Sequence, residues 1–189
     1  DRLAAVEDDP AEGVADLRSR SVDAADVVVG IAAGGTTQYV HAALAEARRV
    51  GAATGFITCV PADQAPAEAD VVIRPLTGPE VVSGSTRMKA GTATKMVLNM
   101  LTTAVFVRLG KTYGPYMVDL RASNAKLRDR AVRLVAKLCD TTRQEAAEML
   151  GQAGGQVKAA VVMHRRGCSL EGAQCLLRQA GGQLRKILE

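Results

Sequence analysis

The chain has 189 residues, 48% of them apolar and 3% aromatic with no Trp, enough for one domain with a small appendage around an aliphatic, Ala-rich core. No run reaches the ~20 apolar residues of a membrane span and the first residues lack a basic-then-apolar signal pattern, so a cytoplasmic protein with no membrane partner is expected. Net charge is +4, but residues 1–119 carry 11 Lys/Arg against 14 Asp/Glu (−3) and residues 120–189 carry 13 against 6 (+7). The basic residues of the second part are scattered among apolar ones without an aromatic series. That pattern favours solvated helix faces over a nucleic-acid partner.

Asp9-Pro10-Ala11-Glu12 reads as a helix start, with Asp9 as N-cap, Pro10 at the first helical position and Glu12 closing a capping box. That helix is expected to run to about Arg20. The continuous apolar run from Asp26 to Ala32 predicts a strand buried on both faces of a parallel sheet. Gly34-Gly35-Thr36-Thr37 follows, then an Ala-rich helix over about 38–50. Further strands are expected at Ala53–Cys59 and Asp70–Arg74, and the strand–helix–strand order implies right-handed crossovers and an α/β layered sheet. After Thr86 everything reads helical. The expected helices cover about 86–109, 120–138, 142–150, 155–166, 169–179 and 181–188, with breaks at Gly110, Gly151–Gly155 and Gly167. Two parts result, an α/β part to about residue 120 and a helical part beyond it. The four cysteines, Cys59, Cys139, Cys168 and Cys175, form no C-x-x-C pair, and His41 and His164 are far apart, so reduced thiols and no metal site are expected.

Two segments have the character of ligand sites. The loop Gly34–Thr37 lies between a buried strand and a helix, at the carboxyl edge where open α/β sheets bind ligands. Its small residues let backbone amides approach a phosphate, and Thr36 or Thr37 can donate a hydroxyl or cap the helix. A plain turn explains the loop equally well. The second segment is 78–95, GPEVVSGSTRMKAGTATK. Its Gly-Pro pair ends the preceding strand. Ser83, Gly84, Ser85, Thr86, Arg87 and Lys89 then crowd the start of a long helix. Hydroxyls, a flexible glycine, helix N-terminal amides and a guanidinium capable of bidentate binding are what an anion needs.

The whole run resembles the signature of the N-acetylmuramic acid 6-phosphate etherase and glucokinase regulatory protein family: Gly78-Pro79-Glu80, an apolar spacer, Gly84-Ser85-Thr86-Arg87, Met88, Lys89, small residues and Lys95. The likeness extends through VEDDPAEGVADL, DVVVGIAAGGTTQYV and the segment from Lys95 to Leu127, and the etherase branch fits better because the chain is short. The resemblance implies a parallel-sheet, three-layer SIS-type (sugar isomerase) phosphosugar-binding domain to residue 120. A helical region over 121–189 follows, ending in a three-helix, ubiquitin-associated-like bundle over about 140–189. It implies Glu7 as the catalytic base, and Gly34, Gly35, Thr36, Thr37, Ser85, Thr86 and Arg87 as phosphosugar contacts. No cofactor or metal is implied, and the partners are a small phosphosugar and a second copy of the chain.

The implied activity is that of a carbon–oxygen lyase of peptidoglycan amino-sugar recycling. It removes the proton at C2 of the ring-opened sugar, eliminates the 3-O-lactyl group and adds water at C3. The family places a serine where this chain has Gly34, and the substitution removes one charge-assisted hydrogen bond, worth about 1.5–3 kcal/mol. The family's second acid lies in an upstream Ser-Glu-Cys-like stretch. A chain opening at Asp1 without that stretch is expected to be a fragment, with one sheet face and edge uncovered. The alternative is a non-catalytic phosphosugar-binding regulator; a nucleic-acid-binding regulator using the basic tail is weaker.

Overall fold

The computed structural model describes residues 6–65, 68–120 and 122–189. The chain divides into two compact units, Asp1–Asn99 and Met100–Glu189. The first unit contains α1 (Pro10–Ser19), β1 (Val27–Ile31), α2 (Gln38–Arg49), β2 (Ala53–Ile57) and β3 (Val71–Ile73); α3 (Lys89–Arg108) begins in it. Asp9 caps α1, its Oδ1 accepting from the Ala11 amide at 2.8 Å, with Pro10 in the first turn. The reciprocal Glu12 bond of a capping box is not seen among the described residues.

The sheet has the order β1-β2-β3 and is parallel throughout. Val27 lies opposite Ala53, Ile31 opposite Ile57, and Gly55 opposite Val71. One face packs against α2 through Val28, Phe56 and Val72, with Leu44 and Val40 from the helix. Gly30 allows this approach, since a methyl there would lie 2.6 Å from Val40 Cγ1 and 2.8 Å from Leu44 Cδ1. Helix α1 lies along α2, and the two are joined by charge. Glu46, only 6% exposed, takes Arg18 Nε and Arg49 Nε, each at 2.7 Å. The hydrogen bonds from Arg49 and then Arg18 outweigh the opposing effect of burial and pull its carboxyl down to about 2.

The opposite face departs from the expected burial on both sides. Val27, Val29 and Ile31 are 68%, 40% and 42% exposed. An apolar run without alternation is a strand prepared for two covers, and among the described residues the α2 side of β1 is the covered one. Helix α3 also departs from expectation. It begins at Lys89, three residues later than predicted, and spans 20 residues. By length and composition alone it is long and apolar enough to cross a membrane, contrary to the sequence reading. Its charges are confined to Lys89, Lys95 and Arg108. Of its side chains Ala90 and Val97 are buried, while Met96, Met100, Val105 and Phe106 are exposed.

The second unit corrects the all-helical reading after Thr86. A hairpin, β4 (Thr112–Tyr113) with β5 (Tyr116–Met117), turns through Gly114-Pro115, a turn pair whose meaning the helical reading missed. Then come α4 (Ala125–Cys139), α5 (Arg143–Gln152), α6 (Val157–Arg166), α7 (Leu170–Gln179) and α8 (Arg185–Leu188). The last is one turn, shorter than predicted. Caps explain the boundaries. Asn124 Oδ1 accepts from Leu127 N at 2.8 Å, Thr142 and Glu145 form a capping box, and Ser169 accepts from Gly172 N. Gly110, Gly154, Gly155 and Gly167 all have positive φ, the conformation that favours glycine, whereas Gly151, at the start of the expected Gly151–Gly155 break, lies within α5. The centre of this unit is α6, whose Ala159, Ala160, Val161 and Val162 are all fully buried. Around it pack Ala131 and Val135 of α4, Leu150 of α5, Ala173 of α7 and Leu184. The four cysteines are free, Cys59 and Cys139 being buried.

Candidate active site

The carboxyl ends of three parallel strands lie at one edge of the sheet, and the first unit builds its cleft there. Ala32 N donates to Ile57 O at 3.0 Å, while Cys59 N and Thr58 Oγ1 donate to Ala33 O at 2.9 and 3.2 Å. The loop after β1 is therefore fastened to the segment after β2. That segment is held in turn by Arg74, whose guanidinium donates to Val60 O at 3.1 Å and Ala65 O at 2.7 Å. Three carbonyls that a loop would otherwise present to water are satisfied by side chains from the strand ends.

Within the β1 loop the two glycines have different roles. Gly35 is buried with φ +77°, and its amide donates to Ala32 O at 3.0 Å. A methyl there would collide with Ala65 Cβ and lie 2.9 Å from Thr58 Oγ1. Its carbonyl lies 2.7 Å from His41 Nε2, and the His41 ring packs against Phe56. Gly35 is thus a structural pivot. Gly34 is exposed, has no positive φ, and a methyl there would meet nothing within 4 Å.

Thr37 is the N-cap of α2 but makes no side-chain capping bond. Its Oγ1 instead donates to Glu7 Oε1 at 3.4 Å. A cleft of about 510 Å³ brings together Glu7, Gly34, Thr36, Thr37 and Thr86, walled by Val6, Ile31 and Tyr39. Five of the eight residues expected from sequence therefore share one cleft. Gly35, between Gly34 and Thr36, does not line it, nor do Ser85 and Arg87 on either side of Thr86.

Tyr39 was not anticipated. Its hydroxyl donates to Asp16 at 2.7 Å, and this bond, with some burial, raises the phenol above its ordinary value. The signal for it was its place in the first turn of a helix entered from a ligand-facing loop.

The second expected segment is anchored by Glu80. Its Oε2 accepts from Lys89 N at 2.9 Å and its Oε1 from Ala90 N at 3.0 Å, while Lys89 Nζ donates to Pro79 O at 2.8 Å. Those amide bonds hold the Glu80 carboxyl below the usual carboxylate value. The first two amides of α3 are therefore already taken by a carboxylate. An anion at this loop has to use the hydroxyls of Ser85 and Thr86 and the guanidinium of Arg87, which precede the helix. Among the described residues no cluster of His, Cys, Asp and Glu has the arrangement of a metal site.

An open parallel sheet with a loop cleft at its carboxyl edge is the ligand-binding arrangement of an α/β domain, here with a carboxylate in the cleft and a hydroxyl-rich second loop. Residues 7–104 match the SIS domain, and the chain belongs to that family. Residues 114–158 match the C-terminal lid domain of glucokinase regulatory protein. Among individual relatives, the chain is 53% identical over 184 residues to the N-acetylmuramic acid 6-phosphate etherase of Synechocystis sp., covering 97% of this chain and 60% of the relative. The enzymes of the same name from Crocosphaera subtropica and Gloeobacter violaceus are 51% and 52% identical, with the same coverage. The chain thus spans about 60% of the length of the curated relatives it matches.

Proposed function

We propose that this chain is the phosphosugar-binding part of an N-acetylmuramic acid 6-phosphate etherase, a cytoplasmic lyase of amino-sugar recycling that forms N-acetylglucosamine 6-phosphate and D-lactate. The observation that carries the reading is the convergence of Glu7, the Gly34–Thr37 loop and Thr86 on one cleft. Glu7 removes the proton at C2, where the neighbouring aldehyde of the open-chain sugar acidifies the C–H bond. The electron pair left at C2 forms the C2–C3 double bond as the lactyl C3–O bond breaks and lactate takes up a proton. Water then adds, its oxygen at C3 and a proton at C2. Thr37, bonded to Glu7, orients the carboxylate. The loop amides and the hydroxyls of Thr36, Ser85 and Thr86 hold the phosphosugar, with Arg87 as counter-charge. This chemistry calls on acid and base groups alone.

The test is D-lactate release from N-acetylmuramic acid 6-phosphate, with the Synechocystis relative as positive control and product binding measured in parallel. Glu7→Gln is expected to abolish release in any form of the protein that turns over, while N-acetylglucosamine 6-phosphate still binds. Undiminished release by Glu7→Gln removes Glu7 from the mechanism. Failure of this chain to bind either phosphosugar refutes the proposal as a whole.

A homodimer is part of the same reading. The exposed Val27, Val29 and Ile31 and the exposed apolar residues of α3 are surfaces that water does not favour, and a second copy is the cover always at hand. Sedimentation is expected to show a dimer; a stable, soluble monomer counts against it.

A further inference from the structure

The second unit holds a larger cavity than the cleft, about 1190 Å³, and its walls are basic. Among the described residues, Lys111, Arg128, Lys158 and Arg178 line it against one carboxylate, Asp119. Asp119 accepts from Lys111 Nζ at 2.8 Å and from Lys158 Nζ at 3.1 Å. Burial works against this carboxylate, yet the two lysine bonds prevail and keep its pKa below the ordinary value. It therefore stays charged and fixes both ammonium groups while neutralising one positive charge in four. Lys158 is largely enclosed, its side chain 13% exposed. Such enclosure is uncommon for lysine unless a negative group shares the site.

The backbone adds to the same field. Gln156, Val157 and Lys158 form the start of α6 and line the cavity, and Gln156 provides no side-chain cap to the helix amides. The positive end of a ten-residue helix thus meets four cations. Gly154, Gly155 and Gly182 also line the cavity with bare backbone.

We propose that this cavity, built within the second unit, binds a compact, multiply charged anion of the phosphate class, free or as a small ester. A single carboxylate would leave most of the charge unmatched, whereas a trianionic phosphate matches the surplus of three and a dianionic one leaves a single positive charge. Arg128 and Arg178, both exposed at the rim, supply the paired guanidinium hydrogen bonds that phosphate oxygens accept.

The experiment is a titration of the whole chain carrying Arg87→Ala, which weakens the loop site, with inorganic pyrophosphate and separately with glucosamine 6-phosphate at matched ionic strength. Saturable binding in either arm is expected, with amide NMR shifts at Gly154, Gly155 and Lys158. Adding Arg128→Ala and Arg178→Ala should weaken it at least tenfold. Arg128→Lys with Arg178→Lys, which keeps the charge, should retain part of the affinity. The two arms distinguish free phosphate from an ester. Absence of saturable binding in both arms, shifts confined to residues 83–95, or undiminished affinity in the alanine variant overturns the proposal. So does arginine-dependent binding of a single-stranded oligonucleotide that pyrophosphate fails to displace, because that assigns the surface to nucleic acid. None of these outcomes depends on lactate release.

Discussion

Replacing Gly34 with serine tests the cleft more sharply than removing any residue from it. The position is exposed, its φ lies outside the left-handed region, and a side chain there meets no atom within 4 Å. Gly34→Ser therefore introduces no overpacking and no backbone strain, and the narrowed unfolded ensemble adds about 0.4–1 kcal/mol of stability by the precedent of Gly→Ala. If the loop faces a phosphosugar, the new hydroxyl gains a charge-assisted hydrogen bond worth about 1.5–3 kcal/mol. At 1.4 kcal/mol per decade, that tightens binding roughly 10- to 150-fold. Isothermal titration with N-acetylglucosamine 6-phosphate reads the change directly. The control is its neighbour: Gly35→Ser forces a side chain onto Ala65 and Thr58 at φ +77°, costing roughly 1–3 kcal/mol of stability. An affinity for Gly34→Ser within twofold of the parent, with Tm not lowered, would mean the loop does not contact the ligand, and the proposed cleft would lose its phosphate-facing wall.

Two further predictions concern how the site is held in place. Glu80→Gln keeps the shape but removes the charge that accepts from Lys89 and Ala90; it is expected to lower Tm and to weaken phosphosugar binding together, because Ser85–Arg87 lose their anchor, and calorimetry on the free and ligand-saturated protein reads both. Glu46 makes acid stability predictable. Its carboxyl falls from an ordinary 4.5 to about 2 in the folded chain, so its contribution is fully present above 4.5 and is lost as pH drops through about 2. The melting temperature should decline across that window, and the decline should be shallower in Glu46→Gln, whose Tm at neutral pH is lower. An identical acid profile in the variant would exclude the α1–α2 ion pair as its cause.

What the sequence disclosed tracks how local each determinant is. Asp9-Pro10, the β1 apolar run and the positive-φ glycines act within a few residues, and the elements they predict are present. The hairpin at Thr112–Met117 was missed because its four strand residues are too few to show a period, leaving Gly114-Pro115 as the sole cue. The cleft was partly legible. Glu7, Gly34, Thr36, Thr37 and Thr86 came from recognised motifs, but the division between a buried Gly35 and an open Gly34 depends on Ala65 and Thr58, 30 and 23 residues away. The same holds for Tyr39, which becomes a cleft wall through its bond to Asp16. The basic cavity was read as scattered surface charge, because Lys111, Arg128, Lys158 and Arg178 converge only after the helices pack.

Glu80 changes how the signature segment works. Read from sequence, a helix N-terminus behind Ser85-Thr86-Arg87 offers its own amides to an anion. In the fold those amides already hold a carboxylate, at 2.9 and 3.0 Å. A phosphate competing for them would have to displace an intramolecular partner that is present at high effective concentration. The segment is better understood as a loop clamped from behind: Glu80 satisfies the helix start, Lys89 ties back to Pro79, and the residues between them are held forward. Gly84, at φ +80° with open space around it, permits the turn that presents Ser85 and Thr86. On this view the acidic residue beside an anion loop lowers no affinity by repulsion, because two amides and the Lys89 charge already offset it. It fixes the geometry in which the hydroxyls and Arg87 act.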